Sequence, residues 1–310
     1  MKNTHHLKYL IKSQAFRFER LLLEDVDNSP VFDFHSHEIA NQEICFFHRN
    51  ISNGNQYFHA LHDLIRQGMA LKKSTPVVRF ADGEYAFYDY SLDCNGLYQQ
   101  AESVNSIKEA MPLHIEALKV LAKSGKFTPL IHPGNVHQER KRLFSFFRKS
   151  KGDDSALKFI DFLYDYNIEL TNENYLPFYV VYAYLTSKSF GNLVNEKKIC
   201  IISSKCDMDA CKQWFARFHS YPNILFIEIP DSYVATRWKS MKEKTLSRIP
   251  ADIDLCLVGA GIGSLLVCVD VAEKFSIPTL DAGHVLNMIN GREDKSGGPR
   301  LYTIHKQKNE

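Results

Sequence analysis

Two carboxylates two residues apart, Asp82 and Glu84, stand just past the apolar run Thr75 to Phe80, with Gly83 between them and Arg79 before them. Acids of this kind are hard oxygen donors suited to magnesium or manganese, and a cation so held can bridge the oxygens of a diphosphate. If the apolar run is a strand of an α/β sheet, the pair lies where ligands bind in such sheets, outside the strand's carboxyl end. Asp-Gly turns with a neighbouring acid are also common at solvated loop tips. The residues by themselves leave both readings open.

A second constellation runs from Asp254 to Asp281: an apolar strand, the glycines Gly259, Gly261 and Gly263, a helix, a further strand, and an acid at its end. Glycines there let backbone approach a ligand and leave a helix N-terminus free for an anionic phosphate. The spacing is G-x-G-x-G, with Ser264 where a dinucleotide fingerprint has its last small residue, and Asp281 falls about 20 residues on, where a ribose-binding acid is expected. A tight strand-to-helix connection without any ligand explains the same glycines. Third, Asp281-Ala282-Gly283-His284 offers an acid and a histidine at a strand's end, able to bind a base, a ribose or a sugar hydroxyl, or to shuttle a proton. A lone histidine can equally make a structural hydrogen bond. Fourth, Asp33-Phe34-His35-Ser36-His37 is a D-x-H-x-H run of the sort that opens metal-dependent hydrolases, since alternating histidines on a strand share one face. The remaining histidines do not follow it with the spacing such an enzyme needs.

These residues need elements to hold them. Apolar spacing predicts an amphipathic helix over Leu7 to Leu23, with Lys8, Lys12, Arg17 and Arg20 between its apolar positions, which packs on the main domain or lies on anionic lipid. From Tyr57 onward helices and strands alternate. Helical patterns cover Tyr57 to Leu71, Ser106 to Lys123, Lys158 to Tyr164, Leu176 to Thr186 and Tyr233 to Arg248, and a further helix ends at Phe275. Short apolar strands cover Thr75 to Phe80, Phe127 to Ile131, Lys198 to Ser203, Ile224 to Ile229, Asp254 to Val258 and Pro278 to Leu280. Such strands between helices predict an α/β fold, a Rossmann-like, mainly parallel sheet with both faces covered and a helical N-terminal extension. The expected division is an extension over 1–56, the α/β domain over 57–290 and a loop-like tail over 291–310.

Composition narrows the partners. A chain of 310 residues, 45% hydrophobic and 24% charged, buries a sizeable core. Its 38 Lys and Arg against 36 Asp and Glu leave a net charge of +2, too little to hold a polyanion, so nucleic acid is not an expected partner. Seven scattered cysteines with no C-x-x-C pair read as reduced thiols rather than a disulfide framework or a zinc ribbon. With neither a signal peptide nor a long apolar span, a cytoplasmic protein is expected, its basic N-terminal helix able to touch a membrane surface.

The segments Arg79 to Glu84 (R-F-A-D-G-E) and Asp281 to His284 (D-A-G-H) resemble the R-F-G-D-G-E and D-I-G-H signatures of bacterial glycosyltransferases of the GT-D fold. Ala81 replaces a glycine and Ala282 an isoleucine. The strands between the two segments occur in that family's order, and the likeness runs from about Tyr57 to Asn290. It implies transfer of a sugar from a nucleotide-sugar donor, a UDP-sugar, to a hydroxyl of a glycan or glycoprotein. It further implies that Asp82 and Glu84 coordinate Mn2+ or Mg2+, and that Gly259, Gly261, Gly263, Asp281 and His284 line the donor pocket. Arg79 would add fixed positive charge, Lys205 and Asn174 are weaker candidates for the pocket, and His284 or Asp281 is the candidate to take the acceptor's proton. The other enzymatic readings are an NAD- or adenosylmethionine-dependent enzyme built on Gly259 to Gly263, and a metal-dependent hydrolase built on Asp33, His35 and His37.

Overall fold

A computed structural model describes residues 16–20, 44–48, 51, 54–93, 99–131 and 155–291. Six strands make one all-parallel sheet: β3 (Thr75–Phe80), β4 (Lys126–Pro129), β5 (Lys198–Ser203), β6 (Asn223–Glu228), β7 (Leu255–Gly259) and β8 (Pro278–Asp281), in the order β4-β3-β8-β7-β5-β6. The central strands carry almost only apolar residues because helices cover both faces, so neither face needs polar side chains. Ile199, Ile201, Leu255, Val258 and Leu280 are all buried. The strand with Pro129 is an edge strand, where a missing N–H costs no ladder bond.

Ten helices accompany the sheet among the described residues: α1 (Gly54–Leu71), α2 (Asp82–Tyr88), α3 (Val104–Ser124), α4 (Ser155–Asp165), α5 (Phe178–Leu185), α6 (Lys188–Val194), α7 (Met208–Ala216), α8 (Val234–Leu246), α9 (Ser264–Phe275) and α10 (Gly283–Ile289). A 3-10 turn, Gly261–Gly263, joins β7 to α9. The α/β class and the parallel sheet are as the sequence predicts.

Two readings need revision. Within the segment expected to be an N-terminal helix, Phe16–Arg20 is a strand (β1) paired antiparallel with Ile44–His48 (β2). The reason lies in F-R-F-E-R, whose aromatic and charged residues alternate with the period of a strand. The rest of that segment lies outside the described residues, as do Asp33, His35 and His37. The Asp82-Gly83 turn is also replaced: Asp82, Gly83 and Glu84 form the first turn of α2.

The chain leaves β5 toward β6 at one edge but leaves β7 toward β8 in the opposite direction. Loops diverging from neighbouring strands open a crevice at the strands' carboxyl ends, the usual ligand position in open α/β sheets. Ser203 and Gly259 face each other in register there.

Candidate functional site

The strand β3 ends in Arg79 and Phe80, and helix α2 begins two residues later. Ala81 is extended and acts as N-cap, and the Glu84 carboxylate turns back to accept the Ala81 N–H at 2.9 Å. This is the carboxylate half of a capping box, and it satisfies a backbone donor that a helix start would leave orphaned. An acid three residues into a helix is favoured there for the same reason that it caps. Aromatic packing seats the helix: Phe80 stacks on Phe159 with ring centroids 4.8 Å apart, and Tyr85 and Tyr88 pack on Phe159 at 5.3 Å and 5.2 Å. The Tyr85 hydroxyl reaches the Leu130 carbonyl at 2.8 Å. At the far end of α2 the Tyr88 hydroxyl donates to His114 Nδ1 at 3.0 Å, and His114 Nε2–H donates to the Ala235 carbonyl at 2.9 Å, which fixes the neutral tautomer. Helix α2 also packs against the Gly261–Gly263 turn.

Arg79 carries the contact between the two ends of the sequence. Its Nε donates to the Asp281 carbonyl at 3.0 Å and its Nη2 to Asp281 Oδ1 at 2.9 Å, while Nη1 donates to the Tyr182 hydroxyl. The guanidinium lies over the rings of Tyr182 and Phe178, 4.8 Å and 5.5 Å from their centroids. Both charged side chains of the ion pair are almost sealed, at 8% and 4% exposure. Burial alone would lower the Arg79 guanidinium, but the Asp281 carboxylate above all, with the Tyr182 hydroxyl and Glu84, outweighs it and holds the group above its ordinary value. Glu84 feels the same cluster. Burial raises its carboxyl, the Asp281 charge raises it further, and the Ala81 N–H and Arg79 pull the other way, leaving it at about 7.

The structure therefore brings Arg79, Glu84 and Asp281 into one cluster at the carboxyl ends of β3 and β8. Asp82 is exposed at the first position of α2. Gly283 and His284 open α10 directly after β8, and the His284 ring lies 6.2 Å from that of Tyr182. Tyr182 is a site residue that the sequence reading missed, since it sits in the apolar aromatic run of α5 and its partner is 103 residues away.

The glycines are used differently from one another. A β-carbon on Gly259 would lie 3.0 Å from Ser203 Oγ and 3.4 Å from the Gly283 Cα, so Gly259 lets the β7 end approach the start of α10. Gly261 has φ +55°, and a β-carbon there would meet the Gln100 carboxamide at 2.5 Å. A β-carbon on Gly263 would meet Val234 at 2.6 Å. Three backbone donors of this turn are also answered from within the protein. Ala260 N–H goes to Ser264 Oγ at 3.1 Å, Ile262 N–H to Gln100 Oε1 at 3.0 Å, and Gly263 N–H to the Ala260 carbonyl at 3.1 Å. The dinucleotide reading needs these donors and the Asp281 carboxylate for a ligand, whereas here Asp281 holds Arg79.

Lys205 is exposed on the loop after β5, at the same carboxyl edge. Asn174 does not join the cluster. Its Oδ1 accepts the Thr171 N–H at 2.7 Å and its Nδ2 donates to the Glu169 carbonyl at 2.8 Å, closing the turn 169–174 beside the start of β4.

Residues 159–289 match the model of the GT-D-like family, described as a GT-D fold-like domain. That segment holds the glycine turn, Asp281 and His284, and the Arg79 to Glu84 segment precedes it. A solved structure titled as the selenomethionine-substituted domain of unknown function 1792 aligns over 74% of this chain and 83% of its own, at 15% identity and a TM-score of 0.43. No curated protein matches the chain. No helix among the described residues is long and apolar enough to cross a membrane. Over residues 159–289 the chain is thus similar to the GT-D-like family.

Proposed function

We propose that the protein transfers a sugar from a nucleotide-sugar donor, a UDP-sugar, to a hydroxyl of a glycan or glycoprotein, with a divalent cation, Mn2+ or Mg2+, shared between the donor diphosphate and the carboxylates of Asp82 and Glu84. The observation that carries this reading is the Arg79–Asp281 pair. It joins two short segments 202 residues apart and puts Glu84 within reach of both charges.

The donor set fits a cation that arrives with its substrate. Glu84 Oε2 accepts the Ala81 N–H, Asp82 is exposed, and Asp281 is taken by Arg79. Among the described residues no three His, Cys, Asp or Glu side chains gather into a metal-holding group. Two carboxylates with the remaining positions left to phosphate oxygens and water is the pattern that magnesium favours. Bound there, the cation would neutralise charge developing on the departing diphosphate.

The chain's own groups supply the rest. Arg79 is held rigid by three hydrogen bonds and two aromatic faces, so its charge needs no reorganisation when a polyanion enters. Lys205 offers an exposed cation at the same carboxyl edge. His284, in the first turn of α10, is the candidate to take the acceptor's proton. The test is a screen of nucleotide-sugar turnover with and without manganese, repeated on Asp82→Ala. Manganese-dependent turnover that the variant loses supports the reading; equal turnover by parent and variant removes the metal role.

A further inference from the structure

Beyond the donor cluster, one pair of nucleophilic side chains stands at the same edge of the sheet. Cys206 leaves β5 on the loop that leads into α7, and Cys211 lies in the second turn of that helix. Their sulfurs are 3.5 Å apart, and Met208 Sδ lies 4.0 Å from Cys206 Sγ. With Asp207 as N-cap, accepting the N–H groups of Asp209 and Ala210, Cys206 occupies the position before the cap and Cys211 the fourth helical position. A hydrophobic staple links these same two positions at helix starts. Leucine, valine or methionine serves a staple as well as cysteine does, so packing alone does not call for two thiols in contact.

Exposure separates the two sulfurs. Cys206 is half-buried and reachable from solvent, whereas Cys211 is fully buried behind it. This is the arrangement of an attacking thiol with a resolving partner. A disulfide needs the sulfurs about 2.05 Å apart with the β-carbons about 3.8 Å apart. Sulfurs already in van der Waals contact across one helical turn reach that distance by side-chain rotation and a small loop shift.

We propose that Cys206 and Cys211 form a reversible, oxidant-sensitive disulfide at the carboxyl end of β5. With hydrogen peroxide as oxidant, the Cys206 thiolate attacks a peroxide oxygen, the O–O bond breaks, and Cys206 becomes a sulfenic acid as hydroxide leaves and takes up a proton to give water. Cys211 then attacks the sulfenic sulfur, forming the S–S bond, and the hydroxyl leaves with the Cys211 proton as a second water. Two thiols are oxidised and one peroxide is reduced. A thiol reductant reverses the bond by exchange. The link closes residues 206–211, directly after Lys205, and within them Asp207 N–H donates to Asn290 Oδ1 at the end of α10.

The experiment uses the full chain and does not depend on any enzymatic activity. The folded protein is treated with graded hydrogen peroxide, its remaining thiols are alkylated under denaturing conditions, and it is digested with trypsin. Cleavage after Lys205 and Lys212 releases both cysteines in one peptide, Cys206 to Lys212. The expected product is this peptide lacking two hydrogens and unalkylated, restored to the doubly alkylated form when dithiothreitol precedes alkylation. Buried Cys200 and Cys256 remain alkylatable at the same dose. In Cys211→Ser, Cys206 is expected to persist as a sulfenic acid captured by dimedone, with far-ultraviolet circular dichroism reporting that the variant is folded. Recovery of the parent peptide with both cysteines alkylated, or with Cys206 carried to sulfinic acid and no internal link, would overturn the proposal.

Discussion

Arg79 and Asp281 meet through two hydrogen bonds, at 3.0 Å and 2.9 Å, at the carboxyl ends of adjacent strands β3 and β8, and almost no water reaches them. Each strand leads directly into a candidate site segment, α2 with Asp82 and Glu84 on one side and α10 with His284 on the other. The pair thus fixes the spacing of the two segments. Removing one partner of a sealed ion pair leaves an uncompensated charge, which costs about 3–5 kcal/mol, whereas replacing both by apolar residues costs much less. Asp281→Ala should therefore unfold at markedly lower urea than the parent. Arg79→Met combined with Asp281→Leu should be more stable than the sum of the single losses predicts. Strict additivity in a double-mutant cycle would show that the two side chains do not depend on each other.

The glycine turn should respond as packed structure. An alanine at Gly263 must push Val234 aside, and overpacking of this kind costs about 1–3 kcal/mol. At Gly261 the clash is with the Gln100 carboxamide and the backbone is left-handed, so Gln100→Ala relieves only part of the damage. Gly291 is the internal comparison, with φ +63° and nothing within 4 Å of the missing β-carbon, so its alanine variant bears the backbone cost alone. Thermal denaturation should order the variants with Gly291→Ala nearest the parent. The packing account fails if Gly263→Ala is as stable as Gly291→Ala.

How far the sequence foretold this arrangement depends on the residue. Strands β3 and β5 appear in the structure with the ends predicted, because a strand buried on both faces is a compact apolar run with no competing period. Helix α2 was hidden, since Asp82-Gly83 favours a turn and only seven residues follow the cap. The signal that was present is Glu84 three residues after Ala81, half of a capping box without its hydroxyl partner. Arg79 and Asp281 each stand out in the sequence, but their contact joins strands far apart in the chain and leaves no local pattern. Tyr182 had no distinguishing feature among Tyr179, Tyr182 and Tyr184.

Asp82 should separate function from stability. It is exposed at the first position of α2, where a negative charge near the helix start contributes only about 0.3–1 kcal/mol. Asp82→Ala should leave the melting temperature nearly unchanged while abolishing manganese-dependent donor turnover. Asp82→Asn should likewise lose the manganese response, because an amide is a poorer ligand for a hard cation than a carboxylate. A large drop in melting temperature for Asp82→Ala would instead assign this residue a structural role.

His114 provides the acid sensitivity that the fold itself predicts. The ring is fully buried between the Tyr88 hydroxyl and the Ala235 carbonyl, and burial lowers its pKa from 6.5 to about 4, partly opposed by the bond to Ala235. The unfolded chain takes a proton on this ring below pH 6.5, while the folded chain resists until about pH 4. Across that window the unfolded state binds more protons, so stability falls as the pH falls, by an amount on the order of a few kcal/mol. Above the window the contribution is complete. His114→Gln removes the titrating group and should be less stable than the parent at pH 8, because Tyr88 loses its ring partner. The gap between the two proteins should narrow steadily as the pH is lowered toward 4, since only the parent loses the histidine's share. Urea unfolding of both at several pH values measures that gap directly, and a gap as wide at pH 5 as at pH 8 would mean that His114 is not held neutral between Tyr88 and Ala235.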